Sequence, residues 1–145
     1  MPAVTQEILS YEKEQLEAHG FIIGMPHTKI PPGSPKQPED FPNFVAGNAN
    51  IASGLIASIV NVNTTDSHSG SGWAVGIGEG LDVTAGLLGY GSWDTLKSKE
   101  NNIIIVAEVD VLTITFLVDG SVAAVFTGGG VGEVTFEGYG WFNWN

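Results

Sequence analysis

Proline and glycine divide this chain. All seven prolines lie at or before Pro42, and 17 of the 20 glycines come after it. Proline lacks the amide donor a sheet ladder needs, so Pro26, Pro31, Pro32, Pro35, Pro38 and Pro42 mark an extended linker. Beyond Pro42 the chain is free to pair as strands and to bend at glycines. The sequence therefore predicts two parts: residues 1–42, an N-terminal helix and Pro-rich linker, and residues 43–145, an antiparallel β domain.

In the first part, Thr5 to Ala18 reads as a helix. Thr5 can cap it, Glu7 puts negative charge in the first turn, and Gly20 suits its C-terminus. Ile8, Leu9, Tyr11 and Leu16 give it a narrow apolar stripe. In the second part, Asn50–Val62 reads as one long or bent strand with a bulge at Gly54, and Thr64–Gly72 as a polar loop. Trp73–Gly78 and Leu81–Tyr90 read as strands. Gly91–Asn102 is a connection holding a helical turn at Trp93–Lys97. Ile103–Val109 and Val111–Val118 are apolar strands. Asp119-Gly120 predicts a two-residue type I′ turn. That turn pairs Val118 with Ser121 and Phe116 with Ala123. It sets Leu112, Ile114, Phe116 and Val118 on one face with Ala123 and Val125. Gly128–Gly130 reads as a flexible connection. Val131–Glu137 and Tyr139–Trp144 read as a hairpin around Gly138. About eight short strands favour an all-β fold, a small closed eight-stranded antiparallel β-barrel, with a β-sandwich as the alternative.

Charge narrows the function. The net charge is −11, with no arginine and five lysines, which argues against nucleic acid as a partner. It also disfavours simple docking on anionic lipid at neutral pH, an objection that weakens below roughly pH 5 as carboxylates protonate. Without cysteine there is no disulfide, thiolate nucleophile or zinc–cysteine site. No run reaches the roughly 18 apolar residues of a membrane helix, and residues 1–20 are too polar for a signal peptide's apolar core.

No constellation makes a convincing catalytic, metal or cofactor site, and none is assigned. Asp66-Ser67-His68-Ser69 joins triad residue types, but triad members converge from separate parts of a fold, so a polar loop tip is the simpler reading. His19, His27 and His68 are scattered, and Asp82, Asp94 and Asp119 are isolated. Glu108 and Asp110 share a strand face and could serve acid–base chemistry, although an outward acidic pair is commoner. Gly76-Ile77-Gly78-Glu79-Gly80 precedes a β-like segment, whereas a dinucleotide fingerprint opens a helix. The aromatics are more informative. Trp73, Tyr90, Trp93, Tyr139 and Trp141 lie near glycines, and Trp144 sits at the end. A ring beside glycine can lie flat on neighbouring backbone. The same six residues also form a candidate binding set for sugar stacking or a membrane interface.

The sequence of these features resembles the virulence-associated protein (Vap) family of Rhodococcus equi. The resemblance runs over residues 48–145. It is carried by Ser71-Gly72-Trp73, the glycine-broken strand to Gly80, Ala85-Gly86-Leu87 with Tyr90, and Trp93-Asp94-Thr95-Leu96. It continues through the strand pair Ile103–Phe116, the Asp119-Gly120 turn, Phe126 before Gly128–Gly132, and the glycine–tryptophan ending. It implies a compact eight-stranded barrel behind a variable N-terminal region and supplies no catalytic residues. It also implies a non-enzymatic secreted effector acting through its surface, on a membrane surface or a host protein. The long proline-rich linker departs from the family, and no secretion signal is visible, which leaves a cytoplasmic location as the alternative. A carbohydrate-binding, lectin-like barrel with a glycan partner is the second functional reading. A small-barrel enzyme using Glu108 or Asp110 is the third. Oligomeric state is open at this stage.

Overall fold

The computed structural model describes residues 30–53, 57–77, 80–107, 111–131 and 136–145. The helix expected over Thr5–Ala18, the bulge expected at Gly54 and the acidic pair Glu108 and Asp110 lie outside the described residues.

Eight strands form the domain: β1 (Asn43–Ser53), β2 (Ala57–Thr64), β3 (Ser69–Ile77), β4 (Gly80–Tyr90), β5 (Asn101–Ala107), β6 (Val111–Val118), β7 (Ser121–Val131) and β8 (Phe136–Trp144). One short helix, α1 (Trp93–Lys97), links β4 to β5. The strands close into a barrel in the order β1-β2-β3-β8-β5-β6-β7-β4, and every pairing is antiparallel. Closure leaves no free sheet edge. Each half is a Greek key: β4 returns beside β1, and β8 beside β5. Adding four to every strand number maps the pairing pattern onto itself. The two halves meet along two seams, β3–β8 and β4–β7.

Alternation sends one face of each strand inward. Ile51, Val60, Val62, Ala74, Leu88, Ile103, Ile105, Leu112, Ile114, Phe116, Phe126 and Phe142 make one buried cluster inside the barrel. Phe116 and Phe142 meet edge to face, with centroids 5.2 Å apart. Among the described residues these side chains fill the interior, and each large one contributes about 1.5–3 kcal/mol by leaving water.

The seams explain the inward glycines. A Cβ on Gly72 would strike the Trp141 carbonyl oxygen, and one on Gly140 the Trp73 carbonyl oxygen. At the other seam, a Cβ on Gly86 would strike the Thr127 carbonyl oxygen, and one on Gly128 the Thr84 side chain and Ala85 backbone. Glycine is needed there because the backbones pass too closely for any side chain.

Several expectations are corrected. Asn50–Val62 is not one strand, because β1 and β2 are an antiparallel pair with Ile51 opposite Val60. The polar loop is shorter than Thr64–Gly72, since Ser69–Gly72 already pairs within β3. Gly128–Gly130 is not a flexible connection but the interior of β7, paired to β4. Gly138 does not turn a hairpin: β8 runs straight through it, opposite Gly76 and Ile105. The Asp119-Gly120 turn forms as expected, with φ of 52° and 81° and Val118 opposite Ser121. A bulge between Phe116 and Leu117 then shifts the register, so Phe116 faces Ala124 instead of Ala123. Consequently Ala124 and Phe126 enter the core, and Val125, on the alternate positions, points outward.

Candidate functional site

Strand parity splits the six candidate rings into two groups. Tyr90, Trp93 and Trp144 gather at the end of the barrel beside α1. Trp73, Tyr139 and Trp141 stand on its outer wall.

The end group is built on α1 and the turn before β3. Ser92 starts the helix, its hydroxyl accepting the Thr95 amide at 3.4 Å. The helix places Trp93 against Tyr90 (centroids 4.6 Å apart) and edge-on to Trp144 (5.1 Å). Trp144 points into the barrel, is 8% exposed, and packs on Phe116 and Phe142. Its indole N–H donates to Asn101 Oδ1 at 3.1 Å. The fully buried Asn101 amide in turn donates to the Leu96 and Lys99 carbonyls, each at 3.0 Å. One side chain thus ties α1, β5 and β8 together. Sequence reasoning passed over Asn101, which no local pattern distinguishes from the chain's other asparagines.

The turn brings Asp66 and His68 to Trp93. His68 lies flat on the indole, 3.8 Å away at 9°. The Trp93 N–H donates to Asp66 Oδ2 at 3.2 Å, and the Thr64 hydroxyl donates to Asp66 Oδ1. His68 Nδ1 lies 3.1 Å from Asp66 Oδ1. Burial raises the Asp66 pKa. The Thr64 hydroxyl, the His68 ring and the Trp93 N–H outweigh that and hold the carboxyl below its usual value. The Asp66–His68 pair read as a loop tip is therefore a clamp on Trp93. No nucleophile–base–orienter chain is formed among these residues.

The wall group has a different character. Trp73 stands opposite Trp141, and Val75 opposite Tyr139, across the β3–β8 seam. On the flanking strands Ile59 stands beside Trp73 and Ala57 beside Val75, with Asn102 beside Trp141. Ala57, Val75 and Trp141 form a second buried cluster, separate from the core, with Trp73 and Tyr139 packed against it. Burial raises the pKa of the Tyr139 hydroxyl. Towards the end that carries α1, the same wall turns to amides and hydroxyls: Asn61, Ser71 and Asn143 lie one step along from Ile59, Trp73 and Trp141. In the described strands only Asp82 and Glu137 carry charge. No cluster of metal-ligating side chains occurs among the described residues, and no described helix is long and apolar enough to cross a membrane.

No protein-family model matches the chain, and no curated protein matches it. Solved structures do. The virulence-associated protein VapD from the intracellular pathogen Rhodococcus equi superposes with a TM-score of 0.66 at 22% identity, covering 71% of this chain and 97% of that one. VapB from the same organism gives 0.65 at 20% identity, covering 71% and 96%. The resemblance read from glycine and aromatic spacing thus holds in three dimensions: this chain has the fold of the Rhodococcus equi virulence-associated proteins.

Proposed function

We propose that this protein is a non-enzymatic, secreted, Vap-like effector that works through the outside of its barrel, on a membrane surface or a host protein. The observation that carries this reading is the filled interior. Phe116, Phe126, Phe142 and the inward aliphatics occupy the barrel centre, so recognition is left to the walls and ends. The outer wall offers Trp73, Tyr139 and Ile59, the last 41% exposed, on a surface nearly without charge. Indole and phenol rings suit a lipid interface or a protein contact. Against anionic lipid, the chain's acidity is relieved as carboxylates protonate below roughly pH 5.

The test is tryptophan emission and co-sedimentation with anionic and neutral vesicles, at about pH 4.5 and about pH 7. A blue shift with co-sedimentation at the lower pH supports the membrane form. If neither condition gives either signal, that form fails, and affinity capture on host proteins tests the other.

A second reading, a glycan-binding wall, is favoured by one observation: Asn61 and Asn143 lie beside Trp73 and Trp141. Amides can hold hydroxyls while a ring stacks on the sugar face. Silence across a glycan array at high protein concentration would remove it.

A further inference from the structure

Rows of amides cross one wall of the barrel. Asn50 on β1 stands opposite Asn61 on β2, Asn61 opposite Ser71 on β3, and Ser71 opposite Asn143 on β8. Further along the same strands, Asn48 stands opposite Asn63, and Asn63 opposite Ser69. All occupy outward positions, and neither row contains a charged residue. At the β8 side, Asn143 donates to Glu100 at 3.3 Å and Asn145 to Ser69 at 3.1 Å. Among the described residues, the side chains of Asn48, Asn50, Asn61, Asn63 and Ser71 have no hydrogen-bond partner.

Sheet geometry does not call for these residues. Asparagine is depleted in strands, where Val, Ile and Thr fit the pleat. The counterpart wall in the other half, β5-β6-β7-β4, is built on the same pairing pattern. There an outward row reads Val106–Thr113–Thr127–Leu87, as strand preference dictates. The amide rows override that preference and gain no packing or pairing in return. Such conflicts between local preference and fold gather at functional sites.

The chemistry of the rows defines what fits them. Each carboxamide offers two donors and an acceptor, and each serine hydroxyl both donates and accepts. No lysine stands in the rows to hold a phosphate or carboxylate, the chain has no arginine, and its net charge of −11 repels polyanions. The matching ligand is neutral and both donates and accepts along its length, as an uncharged glycan does. Strands lie about 4.8 Å apart, so the four-strand row spans about 14 Å, room for a short oligosaccharide.

We propose that the Asn50–Asn61–Ser71–Asn143 row, with Asn48 and Asn63 beside it, is a binding site for an uncharged oligosaccharide laid across the strands. This rests on the glycan reading of the wall and moves its centre from the indoles to the amides.

The experiment follows the asparagine side-chain amide and tryptophan indole signals of the nitrogen-labelled full chain by NMR. The probes are cellohexaose, mannohexaose and chitohexaose, with hexagalacturonate as the charged control. A neutral hexasaccharide should shift the Asn50, Asn61 and Asn63 amides, and hexagalacturonate should leave them in place. The matching disaccharide, which crosses fewer strands, should bind about tenfold more weakly or worse. The double variant Asn50→Thr, Asn61→Thr gives the row residues a sheet prefers. It should keep or raise Tm and lose about tenfold or more in affinity. If a hexasaccharide shifts the Trp73 and Trp141 indoles and the double variant binds it as well as the native chain, the wall holds glycan through its rings and the amide site alone is overturned. If no neutral hexasaccharide shifts either set at millimolar concentration, the amide site is overturned, and the glycan array separately decides the reading it rests on. If the amide signals move with protein concentration alone, together with a doubling of mass, the rows pair with a second copy and the proposal fails.

Discussion

Asn101 shows how much one buried polar side chain can hold in place. Replacing it with alanine strips the Leu96 and Lys99 carbonyls and the Trp144 indole of their partners. Unpaired buried polar groups cost about 1–3 kcal/mol each, partly relieved where water can enter. Asn101→Ala should therefore cost about 3 kcal/mol and lower Tm by about 10–20 °C, read by calorimetry. Asn101→Asp should cost still more, because it buries a carboxylate against the Leu96 and Lys99 carbonyls. Asp66 adds a pH dependence. Its folded pKa is depressed, so its contribution is complete above the unfolded value of about 3.9 and is lost as pH falls through the lower folded value. Trp93 emission should change over that acid range. In Asp66→Asn the change should be absent, since the amide still accepts the indole N–H but does not titrate.

At the scale of strands, the paired glycines decide whether the barrel can close. Gly140 faces the Trp73 carbonyl, whereas Gly129 has nothing within 4 Å of its would-be Cβ. Gly140→Ala should then destabilise by several kcal/mol, about 3 or more, because backbone must yield to backbone. Gly129→Ala should stay within about 0.5 kcal/mol. Chemical denaturation of the two variants side by side checks the contrast. If both were neutral, the close seam would be disproved. The contrast also marks what could be read in advance. Asp119-Gly120 was legible because a type I′ turn is a local requirement, met by the two residues themselves. The register beyond it was not, because the bulge at Phe116/Leu117 answers to packing across the sheet. Gly128–Gly130 reads as a flexible connection because glycine's local preference is for turns. The first of them, Gly128, instead makes room for Thr84 and Ala85 on a strand from the other half of the chain, which no local pattern encodes. The candidate rings were legible as residue types. Their division was not, because alternation parts Trp141 from Trp144 but only the pairing of β8 with β3, where Trp141 stands opposite Trp73 and Trp144 opposite Gly70, decides which of the two turns inward.

For the whole molecule, topology and charge act together. The strands are nearly free of charge. The ionisable groups described outside them, among them Asp66, Asp94, Glu100 and Asp119, crowd the turns and connections. Against sixteen acidic residues the chain sets five lysines. The described Lys–Asp bridge joins Lys99 to Asp119 at 2.9 Å, with both side chains more than half exposed. Such a pair is worth about 0–1 kcal/mol and is itself weakened by salt. Net repulsion at −11 therefore outweighs attraction. The Debye length shrinks from about 30 Å at 0.01 M to about 3 Å at 1 M, which removes most of the repulsion between turns at the same end of the barrel. Raising NaCl over that range at neutral pH should lift Tm by a few degrees, about 2–5 °C. Lys99→Gln, which deletes the attractive partner, should make the rise steeper. A Tm that falls with salt would mean that specific ion pairs, and not the excess of carboxylates, govern the electrostatics of the fold.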